Sequence, residues 1–177
     1  MQKSVVSMQR GQTRRLVMLG MITTVAFGLS FVETFLTLPF MVPGMKLGLA
    51  NVALLFALYI FDAKAAVLVG TAKLILSALL FGNPISILCS TVGTVCALVV
   101  SISIYKFCKP PVLLLSICAA IAHNVGQLLV VAFLVNVGLV MSYAPILILE
   151  GAITGTIVGI VARYVVMRAQ SFMGEKN

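Results

Sequence analysis

Long apolar runs fill this chain almost from end to end, and only short polar breaks separate them. Apolar residues make up 62% of the sequence and charged residues only 9%, whereas soluble domains average about 45–50% and about 25%. A soluble fold cannot bury so many apolar side chains, because its surface needs polar cover. The sequence therefore excludes a soluble enzyme, a disordered chain and a disulfide-framed secreted domain.

Six of the apolar runs are candidate transmembrane helices, since about 20 apolar residues span a bilayer as an α-helix. We predict an all-α integral membrane protein that forms a bundle of six transmembrane helices. The second and third runs are short, which indicates a tilted helix, a locally thin bilayer or burial inside the bundle. The six runs are Leu16–Leu38, Leu47–Phe61, Ala65–Phe81, Ile85–Phe107, Val112–Val135 and Pro145–Met167.

The positions of the basic residues predict the orientation in the membrane. The net charge is +8, with 12 Lys and Arg against four acidic residues. With the N-terminus inside, ten of the basic residues fall in inner segments, only Lys46 falls in an outer loop, and Lys73 falls within a helix. This asymmetry follows the positive-inside rule, so the basic excess does not call for a nucleic-acid partner.

We accordingly expect a multi-pass plasma-membrane protein with both termini in the cytoplasm. Its predicted parts are a basic N-terminal segment (residues 1–15), the transmembrane domain (16–168) and a cytoplasmic tail (169–177). The four cysteines, without a CxxC pair or metal-ligand spacing, are expected to be buried free thiols. They are Cys89, Cys96, Cys108 and Cys118.

Small residues recur at four-residue spacing on the first and last helices. Gly20, Thr24 and Gly28 form one stripe, and a second stripe on the last helix contains Gly151, Gly155 and Gly159. Such stripes let helix backbones approach closely in lipid. For the last helix we expect packing inside the bundle. For the first helix, internal packing and docking of a separate membrane subunit remain open alternatives.

Polar residues at bilayer depth indicate a binding site, because ionisable groups are expensive in hydrocarbon. On the fifth helix His123, Asn124 and Gln127 share one face. The helix ends place Glu150 of the last helix in the same outer half of the membrane, so we predict that these four residues line a substrate pocket with His123 at its floor. The alternative is a hydrogen-bonding knot that joins helices.

Four further residues are weaker candidates for the same pocket. Lys46 and Asn51 flank the outer start of the second helix, near the expected mouth. Glu33 lies near the outer end of the first helix, where it is either part of the site or interfacial. Lys73 is expected to pair with a carboxylate or with a substrate anion.

Catalysis by this chain has little support in the sequence. It has no G-x-x-x-x-G-K-[ST] loop for ATP, no HExxH and no metal-ligand cluster. Asp62 is its single aspartate, whereas prenyl diphosphate synthesis on the usual plan needs paired Asp-rich motifs to hold Mg²⁺–diphosphate. We predict a non-enzyme with no cofactor and no metal.

Several ordered motifs resemble a known family. Pro43-Gly-Met-Lys-Leu-Gly-Leu-Ala-Asn51, Leu79-Leu-Phe-Gly82, His123-Asn-Val-Gly-Gln-Leu-Leu129 and Tyr143-Ala-Pro145 resemble the Gx transporter family, often labelled heptaprenyl diphosphate synthase component I. The resemblance covers roughly residues 14–168. Family members frequently have Arg where this chain has Lys73, which keeps the charge but not the bidentate geometry.

That family resembles the substrate-binding S components of energy-coupling factor (ECF) transporters. The resemblance implies a six-helix bundle with an outward-facing site, a transmembrane coupling subunit, two cytoplasmic ATPase subunits, and docking through the stripe on the first helix. The predicted function is an S component for a small vitamin-, quinone- or isoprenoid-like molecule. The alternatives are a non-catalytic membrane component of heptaprenyl diphosphate synthesis and a membrane anchor in quinone- or flavin-linked electron transfer.

Overall fold

Six α-helices make up nearly all of the computed structural model, which describes residues 2–35, 47–81, 83–134 and 137–174. The predicted all-α, six-helix architecture is confirmed. Five of the helices are long and apolar enough to cross a membrane. The helices are α1 (Gln2–Phe35), α2 (Asn51–Ile60), α3 (Ala63–Phe81), α4 (Pro84–Cys108), α5 (Val112–Leu134) and α6 (Val137–Gly174).

Two helices begin earlier than the sequence predicted. α1 is already helical at Gln2 rather than from Leu16, and α6 begins at Val137 with Pro145 inside it rather than at its start. The predicted starts relied on a basic segment and on a proline, but propensities are weak priors that the surrounding structure overrides. Proline is tolerated within membrane helices when neighbouring groups satisfy the freed backbone.

The short helix α2 lies at the centre of the bundle and contacts every other helix. The Glu33 carboxylate accepts a hydrogen bond from the Leu49 N–H just before α2, and Asp62 accepts one from Arg15 at 2.6 Å just after it. Arg15 and Glu33 are about 27 Å apart along α1, given about 1.5 Å per residue. The segment 49–62 therefore runs antiparallel to α1. It is shorter than the stretch of α1 between Arg15 and Glu33, and the long side chains of these two residues span the difference.

Local signals account for where α3 and α4 begin and for where α4 ends. Asp62 caps α3 by accepting a hydrogen bond from the Ala65 N–H at 2.7 Å, and Asn83 caps α4 by accepting one from the Ile85 N–H at 3.0 Å. α4 ends at Cys108, and the C-cap residue Lys109 adopts the left-handed conformation (φ 45°). The following residue is a proline, which cannot continue the helix.

Glycines bring α4, α5 and α6 into close contact. A Cβ on Gly155 would lie 2.8 Å from the Ile117 Cα, and one on Gly159 would lie 2.9 Å from the Ser116 Cβ. A Cβ on Gly126 of α5 would lie 2.9 Å from the Gly93 Cα of α4. The predicted packing role of the stripe on the last helix is confirmed, since it meets α5 inside the bundle.

Large apolar side chains cover the exterior of the bundle. Leu79, Phe107 and Phe133 are 76%, 84% and 91% exposed. A water-soluble surface rarely exposes so much apolar area, but a lipid-facing surface requires it. The chain is a multi-pass membrane protein. Its cysteines are free thiols, but the prediction that all are buried holds only for Cys89. Cys96 and Cys118 are partly buried, and Cys108 is exposed where α4 ends.

Candidate functional site

A cluster of buried polar side chains, to which each of the six helices contributes, lies inside the bundle. Each member is at most 7% exposed. The polar cluster, as we call it, consists of Glu33, Asn51, Lys73, Thr94, His123, Asn124, Gln127 and Glu150.

Two hydrogen bonds in the polar cluster join α5 to α6. The Asn124 side-chain amide donates to the Glu150 Oε2 at 2.5 Å and to the Leu147 carbonyl at 3.0 Å. Gly151 permits this approach, because a Cβ there would lie 3.0 Å from the Asn124 Nδ2. The second carboxylate oxygen of Glu150 has no hydrogen-bond partner among the described residues. Glu150 therefore combines a fixed oxygen with a buried one that remains able to accept.

The start of α2 meets α4 and α5 around His123. Gly48 has a positive φ of 82°, and a Cβ there would lie 3.0 Å from the Asn51 Nδ2 and 3.4 Å from the His123 Cδ2. Gly93 of α4 is closer still to His123, with its hypothetical Cβ 2.9 Å from the ring. The two glycines thus allow the imidazole to fit between the backbones of α2 and α4.

Asn51 has both side-chain polar atoms buried without a hydrogen-bond partner in the described part of the chain. A buried amide in that state is unfavourable by about 1–3 kcal/mol. The cavity next to it has a volume of about 10 Å³, which is room for about one water molecule. Asn51 is 3% exposed and lies beside His123.

Glu33 connects α1 to this region. It is 3% exposed, and its carboxylate accepts the Leu49 N–H. It also interacts electrostatically with the Glu150 carboxylate. Carboxyl groups from α1 and α6 therefore lie in the same region.

Lys73 joins the polar cluster from α3. Its Nζ donates to the Thr94 Oγ1 over 3.4 Å, and both residues are almost completely buried. Because Thr94 follows Gly93, which touches His123, α4 connects the lysine to the histidine. The cluster therefore contains a buried cation in addition to its two carboxyl groups.

Sequence reasoning missed Thr94, Gly93 and Gly48. The signal for the first two was present, because small residues recur on one face of α4, which the structure buries: Ser90, Gly93, Thr94, Ala97 and Ser101. Gly48 had no such periodic signal, since its role depends on a positive φ at a turn. Lys46, predicted near the mouth of the pocket, lies outside the described residues.

The small-residue stripe on α1 faces away from the rest of the bundle. A Cβ on Gly20 or Gly28 would have no neighbouring atom within 4 Å. The Thr24 hydroxyl between them donates to the Gly20 carbonyl of its own helix at 3.0 Å. Within the described residues the stripe is open, in contrast to the filled stripe on α6.

The polar cluster offers hydrogen bonding and charge rather than a metal centre. In the described part of the chain, no group of three or more His, Cys, Asp and Glu side chains is placed to hold a metal ion. Amide, imidazole, carboxylate and ammonium groups at one depth can bind a small polar group in a site shielded from water.

Comparisons with known proteins agree with this architecture. The sequence profile of the family described as heptaprenyl diphosphate synthase component I matches residues 22–165. A solved structure, described as "Structure and mechanism of the S component of a bacterial ECF transporter", superposes with a TM-score of 0.70 at 23% identity. The superposition covers 92% of this chain and 98% of that one. No curated protein sequence gave a significant match.

Proposed function

The chain belongs to the heptaprenyl diphosphate synthase component I family, and because it also has the fold of an ECF transporter S component, we propose that it is the membrane-embedded substrate-binding subunit of an ECF-type, ATP-driven importer. Its substrate is a small vitamin-, quinone- or isoprenoid-like molecule. The observation that carries the proposal is the polar cluster, to which each helix contributes a buried side chain.

The unpaired atoms of the polar cluster favour a binding site over a structural knot. A knot that only joined helices would satisfy its own groups, since each unpaired buried polar group is unfavourable. Within the described residues, the Asn51 amide and one Glu150 oxygen lack partners. A ligand with both donors and acceptors would satisfy them.

Binding requires the cluster to open, because its members are at most 7% exposed and the cavity next to Asn51 has a volume of only about 10 Å³. α1 is the helix suited to move. It packs on α2 and α3 only, whereas α4, α5 and α6 interlock through their glycines. Displacement of Glu33 from Leu49 would separate α1 from the start of α2 and admit the substrate.

Energy for import must come from partner proteins, since the sequence has no P-loop. The proposed partners are a transmembrane coupling subunit and two cytoplasmic ATPase subunits. The open stripe Gly20, Thr24 and Gly28 supports docking of the membrane partner, because small residues let helix backbones approach in lipid. In the proposed orientation both termini are cytoplasmic.

Native mass spectrometry of the tagged full-length protein, purified in mild detergent, tests the proposal. We expect a retained small molecule, with co-purification of a membrane subunit and two ATPases from the native host. The matched variant Gln127→Leu should lose the small molecule and keep the partners. A wild-type protein that retains no small molecule and no partner would contradict the proposal.

A second function, accessory membrane component of heptaprenyl diphosphate synthesis, follows from the description of the family. The single aspartate Asp62, at the opposite end of α2 from Asn51, argues against a catalytic role. Co-expression with a catalytic prenyltransferase subunit separates the two functions. A change in product length or rate that depends on this chain would favour the accessory role over transport.

A further inference from the structure

An apolar groove runs between α1 and α6 on the outside of the bundle. In the described residues α1 and α6 do not contact each other, and α2 forms the floor between them. The α1–α6 groove has a volume of about 460 Å³, within the range of about 300–1,000 Å³ that small-ligand pockets occupy. Its lining is entirely apolar and includes Val25, Leu29, Val52, Phe56, Ile157 and Val161.

On α1 the groove leads to the polar cluster. Val25 and Leu29 line the groove, and Glu33 follows at the same four-residue spacing, so the three side chains share one face of the helix. Leu49 connects the two regions directly. Its side chain lines the groove, and its backbone N–H donates to the Glu33 carboxylate.

On α6 the same relationship holds. Glu150 precedes Ile157 by seven residues and Val161 by eleven, which is close to two and three helical turns. The position of Glu150 thus lies on the face of α6 that lines the groove, although its carboxylate contacts Asn124 of α5. Glu33 on α1 and Glu150 on α6 thus both lie beyond the same end of the groove, whose lining is apolar along its length.

We propose that the α1–α6 groove holds the hydrocarbon chain of the transported substrate, whose head group donates hydrogen bonds to Glu33 and Glu150. This inference rests on the proposed function and names its substrate class, an amphiphile with an amine or hydroxyl head and an apolar tail. The Glu150 oxygen that has no partner among the described residues can accept a hydrogen bond from an N–H or O–H group of the head.

The groove differs from the surface proposed for the membrane partner. The stripe Gly20, Thr24 and Gly28 is absent from the groove lining, which instead takes Val25 and Leu29 from the adjacent face of α1. Helix–helix contacts in lipid use small residues, whereas branched aliphatic walls suit a flexible chain. One face of α1 thus lines the groove for the substrate, and the adjacent face with the small-residue stripe is available to the membrane partner.

Photo-crosslinking tests the inference with a twelve-carbon primary amine that carries a diazirine at its far end. The methyl ester of the corresponding acid, with the same diazirine, is the comparison probe, since its head has no donor. Full-length protein in lipid nanodiscs is irradiated with each probe, and labelled peptides are identified by mass spectrometry. We expect the amine to label the groove walls on α1, α2 and α6, and the ester to label them about tenfold less.

Two valine variants provide the matched control. Val161→Phe fills the groove, and Val99→Phe adds the same bulk to a valine on α4 that is 59% exposed outside it. Groove labelling by the amine should fall about tenfold in Val161→Phe and stay unchanged in Val99→Phe. The two variants should melt at the same temperature, because Val161 is itself 48% exposed.

Three results would overturn the inference. Equal labelling of every lipid-facing helix would mean that the probe reports bulk lipid. Equal labelling by the amine and the ester would mean that neither carboxyl group binds the head group of the probe. Unchanged labelling in Val161→Phe with loss of the membrane partner would make the groove a protein interface. In each case a small molecule retained by the wild type and lost in Gln127→Leu would leave the proposed function standing.

Discussion

The Asn124 side-chain amide donates a hydrogen bond of 2.5 Å to one Glu150 oxygen, and the other Glu150 oxygen is buried without a partner in the described part of the chain. One carboxylate thus holds α5 to α6 and keeps an acceptor available. Glu150→Gln separates these two roles. The glutamine carbonyl can still accept from Asn124, but the free position becomes an N–H₂ donor.

We therefore expect Glu150→Gln to weaken substrate binding by roughly ten- to a hundredfold with little change in melting temperature. The reason is that an acceptor for the ligand becomes a donor, a mismatch of about 1–3 kcal/mol. Gln127→Leu should weaken binding by a similar factor, because it removes a fully buried amide at similar volume. Affinity and melting temperature should be measured on the same purified variants.

Ser116→Ala is the control for these variants. Ser116 is buried on α5 about two turns closer to the start of the helix than His123, and its hydroxyl has no partner within the described residues. It should leave affinity unchanged. If Glu150→Gln and Gln127→Leu lower the melting temperature and leave affinity unchanged, the polar cluster is structural.

A glycine-to-leucine substitution should lower stability on α6 but not on α1. Gly155→Leu places a side chain 2.8 Å from the Ile117 Cα, and such overpacking is unfavourable by about 1–3 kcal/mol or more. Gly28→Leu has no atom within 4 Å and gains helix propensity, so its melting temperature should stay the same or rise.

The same Gly28→Leu variant, and Thr24→Leu beside it, should lose the membrane partner in a pull-down, because the added bulk occupies the open stripe. Substrate affinity should be unchanged in both. Retention of the partner by both variants would show that the stripe faces lipid only. A collapse of affinity with docking intact would assign the stripe to internal packing.

Periodicity and composition predicted the helices well because each apolar run must satisfy its backbone within itself in lipid. The starts of α1 and α6 were predicted less well. Basic residues before Leu16 and the proline at Pro145 resemble boundaries in sequence, but both lie within continuous helices in the structure. Local preferences of this kind are weak and do not by themselves end a helix.

The candidate site was predicted in part. His123, Asn124 and Gln127 were identifiable because polar residues on one face of an apolar helix stand out. Lys73 was identified by its charge, but its contact with Thr94 depends on how α3 packs against α4. Gly48 was not identifiable as a site residue, since its closeness to His123 arises from a turn between helices.

Labelling of Cys108 tests the proposed orientation in the membrane. This thiol is exposed at the end of α4 next to Lys106 and Lys109. With the other three cysteines replaced by serine, a membrane-impermeant maleimide should label Cys108 in inside-out vesicles and not in intact cells. Ile85→Cys, about 35 Å away along the same helix, should show the reverse pattern. Labelling of both positions from the same side would contradict a full crossing by α4.

Asp62 should make a pH-dependent contribution to stability from outside the membrane-spanning helices. Its pKa is lowered from the ordinary value of 3.8 mainly by the hydrogen bond from the Ala65 N–H, and further by Arg15. A lowered pKa in the folded state means that the stabilisation is complete above about pH 4, where the unfolded carboxyl group is also ionised, and is lost as the pH falls through the folded-state pKa.

Asp62→Ala should therefore lower the free energy of unfolding by about 1 kcal/mol at pH 7, the usual value of a helix N-cap. Arg15→Gln should lower it less, because the Arg15 and Asp62 side chains are 48% and 41% exposed and exposed ion pairs contribute about 0–1 kcal/mol. Melting temperatures of both variants and the wild type, measured from pH 7 to pH 3, should converge only below about pH 4. An equal difference at every pH would show that the Asp62 carboxylate is not what stabilises the turn between α2 and α3.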